Sequence, residues 1–145
     1  MARIKIETPG AFDFSTEIAV RASDVNYGGH VGNDAVLTLV QEARIIYYKS
    51  IGFESEMKLD GNVGQIISDA AVVYQSESFY GDVLVISIAA GPIEKYGFDL
   101  FYRITNKATG KQVATVKTGI VCFDYATRKV CPVPDNVRRK LSKPE

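Results

Sequence analysis

One long helical segment followed by four predicted strands is the feature that most constrains how this chain folds. From about residue 33 to residue 50, apolar side chains recur every three or four positions, which is the spacing of one helix face. Asn33 is a suitable N-cap, and Gly52 lies where a left-handed C-terminal cap is expected. Leu39 and Ile46 lie off the main stripe. The sequence therefore predicts a helix that is covered on more than one side.

The segments on either side of this helix have the composition of β-strands. One strand is predicted before the helix and four after it, within 12–20, 66–75, 83–90, 97–105 and 112–123. Mostly short turns join the later strands, and a run of hairpins implies an antiparallel sheet. A sheet that wraps around the helix is the simplest way to cover several of its sides. The prediction is therefore an α+β fold with a five-stranded antiparallel sheet around one long central helix.

Length and composition exclude several classes of protein. The 145 residues suit one domain, 1–145, which can bury a core without disulfides or a metal. Lys and Arg number 17, as do Asp and Glu, so the basic excess of nucleic-acid-binding proteins is missing. The longest uncharged apolar-rich run, 83–91, is too short to cross a membrane, and no secretory segment is predicted. We expect a cytoplasmic protein that binds neither nucleic acid nor membranes and, with one histidine, holds no metal.

The stretch 21–33 is the part of the chain best suited to chemistry. It places a carboxylate, an amide and the single imidazole within seven residues, at Asp24, Asn26 and His30. It leads into a helix N-terminus, where free backbone N–H groups and the helix dipole favour negative charge. Such an arrangement can polarise a carbonyl oxygen and hold a carboxylate near its carbon. Asp, Asn and Gly are also common turn formers, so a purely structural loop is equally compatible with the pattern.

Three short motifs occur in order along the chain. The first is a strand, then Asp-x-Asn-x-x-x-His-Val-x-Asn from Asp24, then a helix that ends in Gly-Phe. The second is Tyr-x-x-Glu-Ser-Phe-Tyr-Gly-Asp-Val-Leu from Tyr74, and the third is Val-Cys-Phe-Asp from Val121. Together they resemble the hotdog-fold thioesterases of the 4-hydroxybenzoyl-CoA thioesterase and acyl-CoA thioesterase family, over residues 12–137.

The resemblance implies a hotdog fold and an acyl thioester hydrolase. Asp24 matches the catalytic carboxylate of many members, as base or nucleophile, and Asn33 matches an asparagine at the helix start. The backbone N–H of Val31 matches the group that contacts the carbonyl oxygen. The family also implies a homodimer or homotetramer whose sites combine residues of two chains.

Plant acyl-carrier-protein thioesterases resemble the same loop. Their pattern adds Asn26, His30 and Glu42 to the candidate catalytic residues, although two extra residues separate Asn26 from His30 here. Glu42 has two interpretations. It faces the substrate as a second acid or base, or it pairs with a basic residue or faces water.

The predicted reaction is hydrolysis of an acyl thioester whose carbonyl oxygen accepts hydrogen bonds at the helix N-terminus. Coenzyme A enters as part of the substrate, with no further cofactor, and an acyl carrier protein is an alternative thiol carrier. The acyl chain is expected to lie in an apolar slot beside the helix. The residues predicted to contact the substrate are Tyr27, Val31, Gly32, Asn33, Tyr47, Ile66 and Ile67.

Two other functions remain open from the sequence. Hotdog hydratases and dehydratases carry Asp-x-Asn-Pro-Leu-His in the same loop, but the proline is absent here and His30 follows Asp24 by six residues instead of five. The second alternative is an acyl-binding module without catalysis.

The C-terminal region adds two minor features. Cys122 and Cys131 flank a turn and could face each other, but Cys122 is interpreted as a small buried hydrophobe. From residue 128 onward there are six basic and two acidic residues. That basic tail suits either the phosphates of coenzyme A, an acidic carrier protein, or plain solvation.

Overall fold

The fold is an antiparallel sheet with one long helix against its apolar face, in a computed structural model that describes residues 1–142. Lys143 and Glu145 of the basic tail lie outside the described residues. The elements, in chain order, are β1 (Phe14–Ala19), a short 3₁₀ turn (Ala22–Asp24), α1 (Ala35–Ser50), β2 (Val63–Tyr74), β3 (Val83–Ile93), β4 (Gly97–Asn106), β5 (Gln112–Asp124), β6 (Lys129–Val130) and α2 (Asp135–Leu141).

Every strand pair in the described sheet is antiparallel, and the strands follow the order β1-β3-β4-β5-β2. The prediction of a five-stranded antiparallel sheet with one long helix is confirmed. The two-residue β6 pairs with β5 and was not predicted, because two residues are too few to show a strand period. β2 occupies one edge, so only β5 lies beside it within the chain.

The beginning of α1 differs slightly from the prediction. Asp34, not Asn33, is the N-cap, and it makes no side-chain capping bond. The Ala35 N–H closes a turn on the Gly32 carbonyl at 3.0 Å, so the α-helical bonds begin one residue later than expected. At the other end, Gly52 has a φ of +97°, the left-handed conformation that the sequence predicted there.

The core lies between α1 and one face of the sheet. In β4 every second residue points inward, so Phe98, Leu100, Tyr102 and Ile104 are buried. They join Leu39, Val40 and Ala43 of α1, along with similar residues of β3 and β5, in one apolar cluster. Each large apolar side chain buried here contributes about 1.5–3 kcal/mol relative to exposure.

A buried polar network, which the sequence did not predict, runs through this core. Arg44 of α1 is almost fully buried; its Nε donates to Glu56 Oε2 and its Nη1 donates to the Tyr102 hydroxyl at 3.2 Å. That hydroxyl lies 2.8 Å from Thr118 Oγ1, and Gln65 Nε2 donates to the same Glu56 oxygen at 3.2 Å. The network joins α1 to the segment before β2 and to β2, β4 and β5.

Two residues of the basic tail attach α2 to the rest of the fold. Arg138 donates to the Ile93 and Glu94 carbonyls at 3.4 and 2.7 Å, between β3 and β4. Lys140 Nζ donates to the Gly52 carbonyl at 2.8 Å, just past the end of α1, where a positive charge is favourable. These two charges therefore have structural partners.

The cysteines lie opposite each other across β5 and the start of the segment after β6. The Cys131 N–H donates to the Cys122 carbonyl at 3.0 Å, and both thiols are free. Cys122 is fully buried, as predicted, and burial raises the pKa of its thiol to about 11. Within residues 1–142, no helix has the length and apolar character that a membrane span requires.

Candidate active site

The loop between β1 and α1 folds back on itself at the entrance to the helix. The Gly32 N–H donates to the Asp24 carbonyl at 3.1 Å, and the Asn26 N–H donates to the His30 carbonyl at 2.9 Å. The Val31 N–H donates to the Ser78 carbonyl at 2.9 Å, which ties the loop to the segment after β2. The predicted loop residues are therefore brought together at one end of α1.

The Asp24 side chain is held almost out of solvent by Arg21. Its Oδ2 accepts the Arg21 backbone N–H at 2.8 Å and the Arg21 Nε–H at 3.2 Å. Its Oδ1 accepts Arg21 Nη2–H at 3.0 Å. Burial alone would raise the pKa of Asp24, but the hydrogen bonds and the charge of Arg21 outweigh it, so the pKa lies below its ordinary value. Asp24 is thus a buried carboxylate that stays ionised at neutral pH.

Asn26 and His30 occupy the other side of the loop. Asn26 Oδ1 accepts the Gly28 N–H at 2.9 Å, a local turn bond that fits the structural interpretation of this residue. The His30 ring contacts the Val31 carbonyl through Nδ1 at 3.2 Å. Its Nε2 lies 3.9 Å from Glu77 Oε2. His30 therefore has a carboxylate neighbour that the sequence analysis did not identify.

The backbone N–H groups at the helix entrance are not equally available. Those of Val31 and Gly32, predicted to bind the substrate carbonyl, donate to the Ser78 and Asp24 carbonyls. Among the hydrogen bonds of residues 1–142, none takes the N–H of Asn33 or Asp34. These two groups lie just before α1, where the dipole of the helix favours a negatively charged oxygen.

A cavity of about 330 Å³ lies directly beside this entrance. His30, Val31 and Asn33 form one wall, and Val36 and Val113 supply apolar surface. The remaining wall is the end of β2 and the segment that follows it, Tyr74, Gln75, Ser76, Glu77 and Ser78. The sequence analysis noted Tyr74 and Glu77 only as part of a family motif. Three segments distant in sequence build the cavity, so no local pattern indicated it.

Two polar groups of the cavity wall are notable. The Tyr74 hydroxyl donates to the Asn33 carbonyl at 2.8 Å and so connects the end of β2 to the start of α1. The Ser78 Oγ is buried and, within the described residues, has no hydrogen-bond partner. By contrast, the Ser76 Oγ donates to the Gln112 carbonyl at 2.5 Å.

The other predicted site residues lie apart from this cavity. Tyr47 is buried in the core, its ring centroid 5.1 Å from that of Phe14, and burial raises its pKa to about 12. Ile66 and Ile67 lie on edge strand β2, and Tyr27 lies fully exposed on the loop. Glu42 is exposed on α1, and its charge helps to raise the pKa of Arg21. Asp24, Asn26 and Gly32 do not line the cavity either, so in one chain the loop reaches it only through His30, Val31 and Asn33.

In the described part of the chain, no cluster of three or more His, Cys, Asp or Glu side chains could hold a metal ion.

Several solved structures share the fold of this chain. A gentisyl-coenzyme A thioesterase superposes with a TM-score of 0.79 at 19% identity, over 89% of this chain and 100% of that one. A 1,4-dihydroxy-2-naphthoyl-CoA thioesterase from Synechocystis superposes with a TM-score of 0.71 at 19% identity, over 88% and 94%. At these identities the comparison confirms the hotdog fold.

Sequence comparison extends the likeness beyond fold. A 1,4-dihydroxy-2-naphthoyl-CoA hydrolase of Synechococcus elongatus is 27% identical over 128 residues, which cover 87% of this chain and 93% of the relative. The family model of the thioesterase-like superfamily matches residues 20–141, a span that includes the Asp24 loop, α1 and β2 to β5. The predictions of a hotdog thioesterase and a thioester hydrolase are confirmed at the level of the family: this chain belongs to the thioesterase-like superfamily.

Proposed function

We propose that this protein hydrolyses acyl-coenzyme A thioesters and that Asp24 is its catalytic carboxylate. The observation that carries the proposal is a buried, ionised carboxylate on the loop that leads into α1, the same loop that lines a cavity of about 330 Å³ through His30 and Val31. The superfamily, and the thioesterase and hydrolase relatives, support the same chemistry. A carboxylate near an electropositive helix end suits attack on a carbonyl carbon.

The proposed reaction begins with the thioester carbonyl at the helix entrance. The N–H groups of Asn33 and Asp34 are open there, so they are better placed to receive the carbonyl oxygen than those of Val31 and Gly32. Loss of one such donor in other enzymes costs about 10²–10³ in rate. Asp24 then takes a proton from water as the water oxygen attacks the carbonyl carbon. The carbon–sulfur bond breaks, and the coenzyme A thiolate leaves and is protonated.

A second route through Asp24 leads to the same products. Asp24 attacks the carbonyl carbon, coenzyme A leaves as the thiolate, and water hydrolyses the resulting anhydride. A single turnover in ¹⁸O-water separates the routes, because label enters the Asp24 carboxyl only by way of the anhydride. Neither route uses a metal or a redox cofactor.

The cavity at the entrance to α1 suits a small apolar acyl group. Its volume lies at the lower end of the range for small-molecule sites, and Val36, Val113 and the Tyr74 ring give it apolar walls. The relatives named above act on 1,4-dihydroxy-2-naphthoyl-CoA and gentisyl-CoA, whose acyl groups are hydroxylated aromatic rings. We infer that this chain takes a one- or two-ring aromatic acyl group.

The proposed enzyme is a homodimer that joins sheet edges. The outer edge of β2 has no strand beside it in the chain, and Ile66 and Ile67 there are 37% and 42% exposed. An uncovered edge with apolar side chains is prone to pair with another strand. Pairing with a second copy would place residues of the partner subunit near the site. Ile66, Ile67 and Tyr27 are candidates for this contribution. A tetramer, an acyl-carrier-protein substrate and a cytoplasmic location remain predictions.

The first test is a free-thiol assay that compares the protein with and without the Asp24 carboxylate. Wild type and Asp24→Asn are compared on a panel of aromatic and aliphatic acyl-CoAs. We expect release of coenzyme A from the aromatic members and a fall in kcat/KM of at least about 100-fold in Asp24→Asn. Asp60→Asn makes the same chemical change at an exposed turn and should leave activity unchanged.

Several outcomes would overturn the proposal. A folded Asp24→Asn protein with wild-type turnover would remove Asp24 from the mechanism. Loss of enoyl absorbance without thiol release would instead indicate a hydratase. Binding of acyl-CoA without any turnover would indicate an acyl-binding module.

A further inference from the structure

Arg21 makes an asymmetric set of contacts with the Asp24 carboxylate. Oδ2 accepts two hydrogen bonds, from the Arg21 backbone N–H and from Nε, whereas Oδ1 accepts one, from Nη2. The Asp24 side chain is only 3% exposed, while the Arg21 side chain is 63% exposed. One oxygen is thus anchored to the backbone, and the other is held only by a side chain that is mostly exposed to solvent.

The asymmetry separates the two carboxylate oxygens by function. The bond from the Arg21 main chain to Oδ2 persists whatever the Arg21 side chain does, so it fixes the position of the carboxylate. The single bond to Oδ1 is lost as soon as the guanidinium turns away, and water or substrate can then approach that oxygen. Oδ1 is therefore the oxygen that is free to react, in either route described above.

The charges around the pair are few. Arg21 supplies the cation, and Glu42, on α1, is a further carboxylate whose charge acts on Arg21. Asp34 and His30 lie on the stretch that leads into α1. Since Arg21 counteracts the burial of Asp24, its removal leaves a buried carboxylate whose charged form is less favourable.

We infer that Arg21 is a positioning residue for the proposed hydrolysis: it anchors Asp24 through Oδ2, holds Oδ1 in place in the free enzyme and releases it to the bound thioester. This inference rests on the proposed function. A purely structural explanation also exists, because the same contacts form a capping box around the 3₁₀ turn. A structural role alone would lower the folded fraction and leave kcat of the folded enzyme unchanged.

The test is a pH profile of kcat and KM for Arg21→Gln and Arg21→Lys, with the panel thioester that wild type hydrolyses fastest. We expect Arg21→Gln to lose roughly 10- to 100-fold in kcat with KM changed less than about threefold. The acidic limb of its profile should move to higher pH. Arg21→Lys should recover part of the loss, because an ammonium group restores the charge but not the paired contacts. Arg103→Gln, an exposed charge removed from β4, is the control and should match wild type.

A ¹³C NMR titration of the Asp24 carboxyl gives a readout that needs no substrate. The carboxyl should titrate at higher pH in Arg21→Gln than in wild type, and near the wild-type value in Arg103→Gln. An unmoved titration together with an unmoved acidic limb would overturn the inference while leaving the proposed function standing. An active Asp24→Asn enzyme would instead overturn the role of Asp24 itself, even if the carboxyl titration moves as expected.

Discussion

Two arginine–carboxylate pairs, one in the loop before α1 and one at the middle of α1, are built in opposite ways. In the pair at the helix entrance, the Asp24 side chain is 3% exposed and the Arg21 side chain 63%. In the pair near the middle of the helix, the Arg44 side chain is 6% exposed and the Glu56 side chain 23%. The first pair buries its anion and exposes its cation, and the second does the reverse. Which member is exposed decides what each pair can do.

At the helix entrance, the exposed member is a long and flexible cation. In the proposed mechanism, water or a ligand displaces the Arg21 guanidinium and leaves the buried carboxylate free to react. In the middle of the helix, the cation is enclosed and has a second partner in Tyr102. Burial alone would lower the pKa of Arg44, but Tyr102 and Glu56 outweigh it and the pKa lies above its ordinary value. Arg44 therefore stays charged and joins helix to sheet.

The largest expected effect is the loss of stability when the middle pair is broken from its carboxylate side. Glu56→Ala leaves the Arg44 guanidinium buried with its charge uncompensated. We expect a loss of about 3 kcal/mol in the free energy of unfolding, at the low end for buried pairs because Glu56 is partly exposed. Urea unfolding monitored by circular dichroism measures it.

Glu54→Ala is the matched control for this prediction. Glu54 lies two residues away in the same segment and is exposed, so its loss should change stability little. Equal effects of the two substitutions would show that Arg44 does not depend on Glu56, and the contrast between the two pairs would then be wrong.

The two pairs also differ in how far the sequence could predict them. Arg21 and Asp24 are three residues apart in the loop that the sequence analysis selected, although the contact itself was not predicted. Glu56 lies 12 residues from Arg44 and Tyr102 lies 58 away. No local period carries such information, and Arg44 falls on a helix whose apolar pattern does not require a charge inside.

The fold could be predicted from the sequence more fully than the site, because the spacing of apolar residues repeats along a whole helix or strand. Alternation in β4 and the 3–4 spacing in α1 each rest on many residues, so single exceptions do not hide them. The cavity instead depends on His30, Tyr74 and Val113 meeting across the fold. Sequence alone also did not indicate that the Val31 N–H would donate to Ser78.

A smaller effect is expected when acid weakens the entrance pair. The folded pKa of Asp24 lies below its ordinary value of 3.8, so the ionised carboxylate stabilises the fold at neutral pH. That contribution is complete above the unfolded pKa and is lost as the pH falls through the lower folded pKa. The difference in unfolding free energy between wild type and Asp24→Asn should therefore shrink below about pH 4. A difference that stays constant from pH 7 to pH 3 would contradict the lowered pKa.

The smallest expected effect is that of Arg21→Gln on stability at neutral pH. The guanidinium that contacts both Asp24 oxygens is itself mostly exposed, so water can replace it, and the Arg21 backbone N–H still donates to Oδ2. The thermal midpoint should shift by less than about 2 °C. The same substitution at Arg44 removes a buried group with two partners and should lower the midpoint several times further.

If the two substitutions lower the thermal midpoint equally, the entrance pair is as structural as the middle one, and a fall in Arg21→Gln activity would no longer point to positioning. If Arg21→Gln keeps its midpoint and loses turnover, the exposed cation serves the reaction rather than the fold.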